Sequence, residues 1–157
     1  MRKTHATPCK SKDAAPGGLE LPSRALSEKE LAPGDRALIA AARGIIRERY
    51  YPEKHHVGAA LRTRSGKVFV GVHLETYVGS LAVCAEAVAI GAACTAGDCD
   101  IEMIVAVRHT GEVVSPCGMC REMICDFSAE ARVIVPANGG LAITPVRELL
   151  PYKYKKH

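Results

Sequence analysis

Two short segments of the chain carry residue types suited to metal chemistry: Cys84-Ala85-Glu86 and Pro116-Cys117-Gly118-Met119-Cys120. Cys117 and Cys120 are three residues apart, so one helical turn puts both on the same face, where their sulfurs can share an ion. Cys84 supplies a third sulfur from a second element. Both segments sit where a helix is expected to begin. A helix N-terminus presents unpaired N–H groups and the positive end of the macrodipole, which lowers a thiol pKa and favours the thiolate that a metal needs. Three thiolates around Zn²⁺ leave a net negative site, and two inward-pointing helix N-termini would offset that charge.

Three protein ligands leave one tetrahedral position open. A closed structural site needs a fourth ligand, and no residue with matched spacing offers itself. An open position takes water, and zinc lowers that water's pKa, less strongly when the other ligands are thiolates. Glu86, two residues from Cys84, is placed to take the proton and hand it on to the reacting group. The competing reading is a structural zinc site in a domain without activity. Glu86 argues against it, because a carboxylate on an alanine-rich apolar face is costly to bury without a task.

These residues must be positioned by a scaffold. Asp35 is a candidate N-cap, and Leu38, Ala41, Ala42, Ile45 and Ile46 follow helical spacing up to Tyr50, where Pro52 stops the helix. Val57–Arg64 and Lys67–Leu74 flank Ser65-Gly66 and read as a hairpin. Cys84–Ala96 reads as a helix with Gly97 as its stop, Ile101–Val107 as a buried strand, and Pro116–Phe127 as a helix with proline at its start. Ala131–Pro136 reads as a strand, Asn138-Gly139-Gly140 as a turn, and Pro145–Leu150 as a last short helix. The order α-β-β-α-β-α-β-α implies an α/β fold, a three-layer α-β-α sandwich around a mixed central sheet. Residues 1–33, rich in Pro, Gly, Ser and Lys, read as a disordered or loosely attached extension with one possible turn at Ser27–Leu31, and 34–157 as the catalytic domain.

With Cys-Ala-Glu followed by Pro-Cys-x-x-Cys, the chain resembles the cytidine deaminase superfamily, in which a glutamate that is not a ligand serves the zinc site. Val57-Gly58-Ala59-Ala60, Gly71 with Glu75, Ser115-Pro116-Cys117-Gly118 and Glu148-Leu149-Leu150-Pro151 fall in that family's order, from about Asp35 to Tyr154. The resemblance implies a cytidine deaminase-like fold, one Zn²⁺ per chain on Cys84, Cys117 and Cys120, and Glu86 as catalytic proton carrier. It implies substrate contacts at His73, Glu75, Ala85 and Ser115. Cysteine rather than histidine at 84 resembles the free-nucleoside deaminases, usually homotetramers, and the blasticidin S deaminases. The expected activity is hydrolytic deamination of cytidine, deoxycytidine or a closely related aminopyrimidine nucleoside. The alternative is a blasticidin S-type or other modified nucleoside, and a third reading is an idle zinc-stabilised subunit binding a nucleoside or partner.

Three departures bear on the substrate. Where the free-nucleoside enzymes typically show Asn-x-Glu, this chain has His73-Leu74-Glu75. Alternation puts His73 and Glu75 on one face, so the pair can still grip a hydroxyl. The family's usual phenylalanine two positions before Val57 is His55, and the arginine that often follows the catalytic glutamate is Ala87. His55 and His56 look like a metal pair, but adjacent side chains should point apart, which favours plain loop residues. Arg121 either screens the thiolates or sits in solvent. Tyr152 and Tyr154 either reach a neighbouring subunit or belong to a frayed tail.

Composition narrows the function classes. The chain has 157 residues, 48% of them hydrophobic and only 4% aromatic, which suits one domain with an aliphatic core. Its seven cysteines cannot all pair with one another, which argues against a disulfide framework. Cys94, Cys99 and Cys125 read as small apolar residues, and Cys9 as an idle thiol. Of the net charge of +4, residues 1–33 hold +2 and Lys153, Lys155 and Lys156 hold +3, leaving −1 on the rest. A core without positive charge and with few aromatics is ill suited to nucleic acid. No apolar stretch marks a signal peptide or membrane span, so a cytoplasmic protein is expected. The expected partners are a small nucleoside and further copies of the chain, a tetramer before a dimer.

Overall fold

A computed structural model of the chain describes residues 25–154. Helix α1 (Pro33–Arg49) is followed by strands β1 (Val57–Thr63) and β2 (Val68–Val72), helix α2 (Ala85–Thr95), strands β3 (Ile101–Arg108) and β4 (Val113–Val114), helix α3 (Gly118–Phe127) and strands β5 (Arg132–Ala137) and β6 (Gly140–Pro145). The sheet runs β2-β1-β3-β5-β6, with β4 paired to β3. β1 is antiparallel to both β2 and β3, and β3 is parallel to β5, so the sheet is mixed and β2, β3 and β5 point the same way.

Alternation along the strands sends residues to two opposite cores. On one face, Met103, Val105 and Val107 of β3 meet Leu38, Ile39 and Ala42 of α1. On the other, Ile104 and Ala106 join Ala59 and Leu61 of β1 under Ala85, Ala89 and Ile90 of α2 and Ile124 of α3. This is the three-layer α-β-α sandwich expected from the order of elements. The Ser65-Gly66 turn forms as read, with Gly66 at φ +89°, a conformation that glycine adopts without strain.

Four local expectations differ from what the chain does. Helix α1 starts at Pro33, not after Asp35, because proline at the first helical position has its φ already set. Asp35 is instead 6% exposed and accepts a hydrogen bond from Arg62 Nη2 at 2.9 Å. Pro116 lies before the cap of α3 rather than inside the helix, since Cys117 is the cap. The last helix shrinks to a 3-10 turn, Val146–Leu149, and the Gly140–Pro145 segment before it is an edge strand, where proline at the end removes no ladder hydrogen bond that the sheet needs. β4 adds a further pairing that was not anticipated.

Of the expected extension, residues 1–24 lie outside the described residues. The part from 25 to 33 is attached. Leu26 exchanges two backbone hydrogen bonds of 2.8 Å with Leu141 on β6, and Leu31 is 3% exposed against α1 and β3. The turn read at Ser27–Leu31 is present as a 3-10 turn, with the Ser27 N–H and hydroxyl both donating to Glu30 Oε2 at 2.8 Å. Glu28 pairs with Arg43 of α1 at 2.6 Å.

Gly71 sets how closely α2 approaches the sheet. A Cβ there would lie 2.5 Å from both the Ala85 carbonyl oxygen and the Ala89 nitrogen, backbone atoms that cannot step aside. Gly71→Ala should therefore push α2 outward at a cost of about 1–3 kcal/mol, read as a fall of several degrees in melting temperature. Gly44→Ala in α1, where a Cβ meets nothing within 4 Å, should leave the melting temperature unchanged or slightly higher. Equal effects of the two substitutions would contradict this packing.

Candidate active site

Because β2, β3 and β5 are co-directional, the helices that return between them start at the same edge of the sheet, outside the C-terminal strand ends, where open α/β sheets place their ligands. Cys84 caps α2 and Cys117 caps α3. Their carbonyls accept the first helical bonds, from Val88 N–H at 3.2 Å and Arg121 N–H at 3.0 Å. Cys120 lies in the first turn of α3 and is 2% exposed. The three sulfurs lie within 4.8 Å of one another, and Cys84 Sγ is 3.6 Å from Cys117 Sγ. Tetrahedral zinc with Zn–S bonds of about 2.3 Å requires S···S separations of roughly 3.8 Å. The donor set therefore fits a zinc ion in both chemistry and spacing.

Burial opposes the ionisation of Cys84, Cys120 and Glu86 at this edge. The Cys84 thiol is pushed up to about 11, by burial first and then by its hydrogen bond with Cys117. Cys120 is also raised, by burial first and then by the charges of Glu86 and Cys84. Cys117 goes down: burial raises it, but the Cys120 backbone N–H and the Cys120 and Cys84 thiols outweigh that. Glu86, 5% exposed at the second position of α2, has a raised pKa. Burial is the main cause, opposed by its own backbone N–H and by the Cys120 thiol. The space beside Glu86, lined by Ile104, Ala106, Pro116, Ile124 and Val133, does not admit a water molecule. A divalent cation reverses this balance, since it favours thiolates and carboxylate together.

The expected substrate contacts fall near this cluster. Leu74 and Val83 exchange backbone hydrogen bonds of 2.9 and 3.0 Å, which lays the 73–75 segment alongside the residue before Cys84. His73 and Glu75 share a side as alternation predicts, with Nε2 and Oε2 3.6 Å apart. Ala85 is buried at the start of α2, and Ser115 is exposed just before Pro116. The adjacent histidines both turn to residue 73. The Nδ1 atom of His55 is 2.6 Å from the His73 carbonyl oxygen, and the His56 ring lies 5.4 Å from the His73 ring. Reading His56 as a plain loop residue missed this contact, because nothing in its spacing shows that residue 73 folds back beside it.

Arg121 does something that neither reading anticipated. Its Nε donates to the Pro116 carbonyl at 2.9 Å and its Nη1 to the Leu149 carbonyl at 3.1 Å, tying the Cys117 loop to the C-terminal 3-10 turn. Lys153 holds the following segment to α3 through Glu122 at 2.7 Å and Asp126 at 2.8 Å, while Tyr152 and Tyr154 project outward.

Two helix-capping cysteines, a third one turn in and a buried glutamate beside them define a zinc-binding deaminase class. Residues 33–136 match the family model described as the cytidine and deoxycytidylate deaminase zinc-binding region, and the chain belongs to that family of zinc-dependent deaminases. It is 45% identical over 131 residues to a blasticidin-S deaminase of Bacillus cereus, covering 78% of this chain and 94% of that one. It is 33% identical over 122 residues to a cytidine deaminase of Sporosarcina psychrophila, covering 76% and 90%. The crystal structure of cytidine deaminase from Burkholderia pseudomallei superposes with a TM-score of 0.65 at 34% identity, over 76% of this chain and 98% of that one. That of Mycobacterium leprae cytidine deaminase gives 0.66 at 28%, over 77% and 99%.

If Arg121 fixes the loop that carries Cys117, Arg121→Ala should weaken metal retention by roughly 10- to 100-fold, as loss of an outer-shell partner does. A competition against a coloured chelator measures this. Unchanged retention would show that the two carbonyl contacts do not position the cysteine.

Proposed function

We propose that Cys84, Cys117 and Cys120 hold one zinc ion in each chain, and that the enzyme uses it to hydrolyse the 4-amino group of cytidine, deoxycytidine or a closely related aminopyrimidine nucleoside. The convergence of three sulfurs beside the buried Glu86 is the observation that supports this reading most strongly. Bound zinc supplies a Lewis acid and a water acidic enough to lose its proton near neutrality. In the net reaction, water oxygen bonds to C4, N3 gains a proton, the C4–N bond breaks, and ammonia leaves.

Glu86 carries the protons. It is buried at the second position of α2, two residues after Cys84, which sets its carboxyl beside the metal site, where a group must first accept and then donate. Ile104, Ala106, Pro116 and Ile124 line the space beside the carboxyl and shield it from bulk solvent. His73 and Glu75 hold the sugar, and the backbone around Ala85 and Ser115 orients the pyrimidine. The proposal extends to the division of the chain, with residues from about 34 onward as the catalytic domain. It places the enzyme in the cytoplasm, in pyrimidine salvage, as a homotetramer. No described helix is long and apolar enough to cross a membrane.

A second reading keeps the reaction and changes the substrate to blasticidin S or another modified nucleoside. The relative from Bacillus cereus and the histidines at 55 and 73 support it. Loss of the 4-amino chromophore, followed by ultraviolet absorbance over cytidine, deoxycytidine and blasticidin S, ranks the candidates. Inertness toward all three would contradict both readings.

Glu86→Gln should retain zinc and lower turnover by at least the 10²- to 10⁴-fold typical of a lost acid–base group. Metal content and ammonia release measured on the same preparation check this. Turnover close to that of the unaltered enzyme would remove Glu86 from its role.

A further inference from the structure

The cysteine cluster is not the only convergence of ligand types. Among the described residues, one donor atom each from His56, His73 and Glu75 lies within 4.8 Å of the others. We propose that these three side chains bind a second divalent transition-metal ion of the zinc class, with donors that the cysteine cluster does not use.

All three residues are held by their backbones before any ion arrives. The His56 carbonyl accepts a hydrogen bond from His109 N–H at 2.8 Å, His73 N–H donates to the Val57 carbonyl at 2.9 Å, and Glu75 N–H donates to the Lys54 carbonyl at 2.9 Å. Such anchoring is what a first coordination shell requires. The carboxylate is oriented as well. Glu75 Oε1 accepts the Thr76 N–H at 3.2 Å, while Oε2 faces His73.

The existing contacts leave these donors short of partners. The Nε2–Oε2 separation of 3.6 Å is too long for a hydrogen bond. His73 Nδ1, the ring's other nitrogen, is buried and has no hydrogen-bond partner among the described residues. Burial lowers the His73 pKa despite the Glu75 charge, and the nearby His56 and His55 lower it further, so the ring is a neutral imidazole available for coordination. Two imidazoles and a carboxylate form a borderline donor set that suits zinc, nickel or cobalt better than magnesium or calcium. The inference rests on the nucleoside reading above and deepens it: three ligands again leave positions open, so His73 and Glu75 would hold a sugar hydroxyl through the ion.

Zn²⁺ titration of the full chain with its cysteine-bound metal in place tests the proposal. The unaltered protein should take up one further ion per chain. His56→Asn and Glu75→Gln should each weaken that uptake by more than the roughly 10- to 100-fold that loss of an outer-shell partner costs, while the cysteine-bound ion stays. Co²⁺ added to the unaltered zinc protein should give weak visible bands without the intense near-ultraviolet absorption of cobalt–thiolate bonds, a readout that does not depend on either variant folding. No further uptake by the unaltered protein, or unchanged uptake in His56→Asn, would overturn the proposal. Either result leaves the cysteine-bound ion and the deamination assay untouched, so it is separable from failure of the deaminase reading.

Discussion

A carboxylate shut away from water beside three cysteine sulfurs is tolerable only if positive charge compensates it. Removing a single ionised carboxylate from water costs several kcal/mol even after the surroundings relax, and here the Cys84 and Cys120 thiols resist ionising beside it. The backbone supplies part of the compensation, because two helices begin at this point and direct their free N–H groups inward. In the proposed reading a divalent cation supplies the rest. The architecture follows from that demand. Three co-directional strands bring two helix starts to one edge, and a strand glycine lets α2 lie close enough for Cys84 and Glu86 to reach it.

In the proposed reading, chemistry and selectivity belong to different parts of this edge. The cysteines and Glu86 sit on helices packed against the sheet, whereas residues 55–56 and 73–75 lie on the segments that enter β1 and leave β2. Residues on those segments can therefore change while the helix starts stay in place.

The elements that hold the site were legible in the sequence because each carries a strong local signal. Alanine-rich periodicity marks α2, Pro-Cys-x-x-Cys marks the start of α3, and Ser65-Gly66 marks the hairpin. Signals failed where two of them competed or where the information is tertiary. Pro33 and Asp35 each offer a helix start, and Asp35 turned out to be needed by Arg62. Gly140–Pro145 is a strand bracketed by a turn signal and a proline, and only its pairing with β5 and Leu26 makes it one. The grip of Arg121 on the carbonyls of Pro116 and Leu149 involves backbone groups, which leave no trace in residue type. The approach of His56 to His73 spans two segments and is likewise invisible to any local pattern.

X-ray absorption at the zinc edge, on protein carrying a single equivalent of the metal, bears most directly on the cation at the helix starts. Three sulfur neighbours at about 2.3 Å and one lighter atom are the expected shell. Four sulfurs, or a shell of nitrogen and oxygen alone, would mean that the cation does not sit with an open corner beside Glu86.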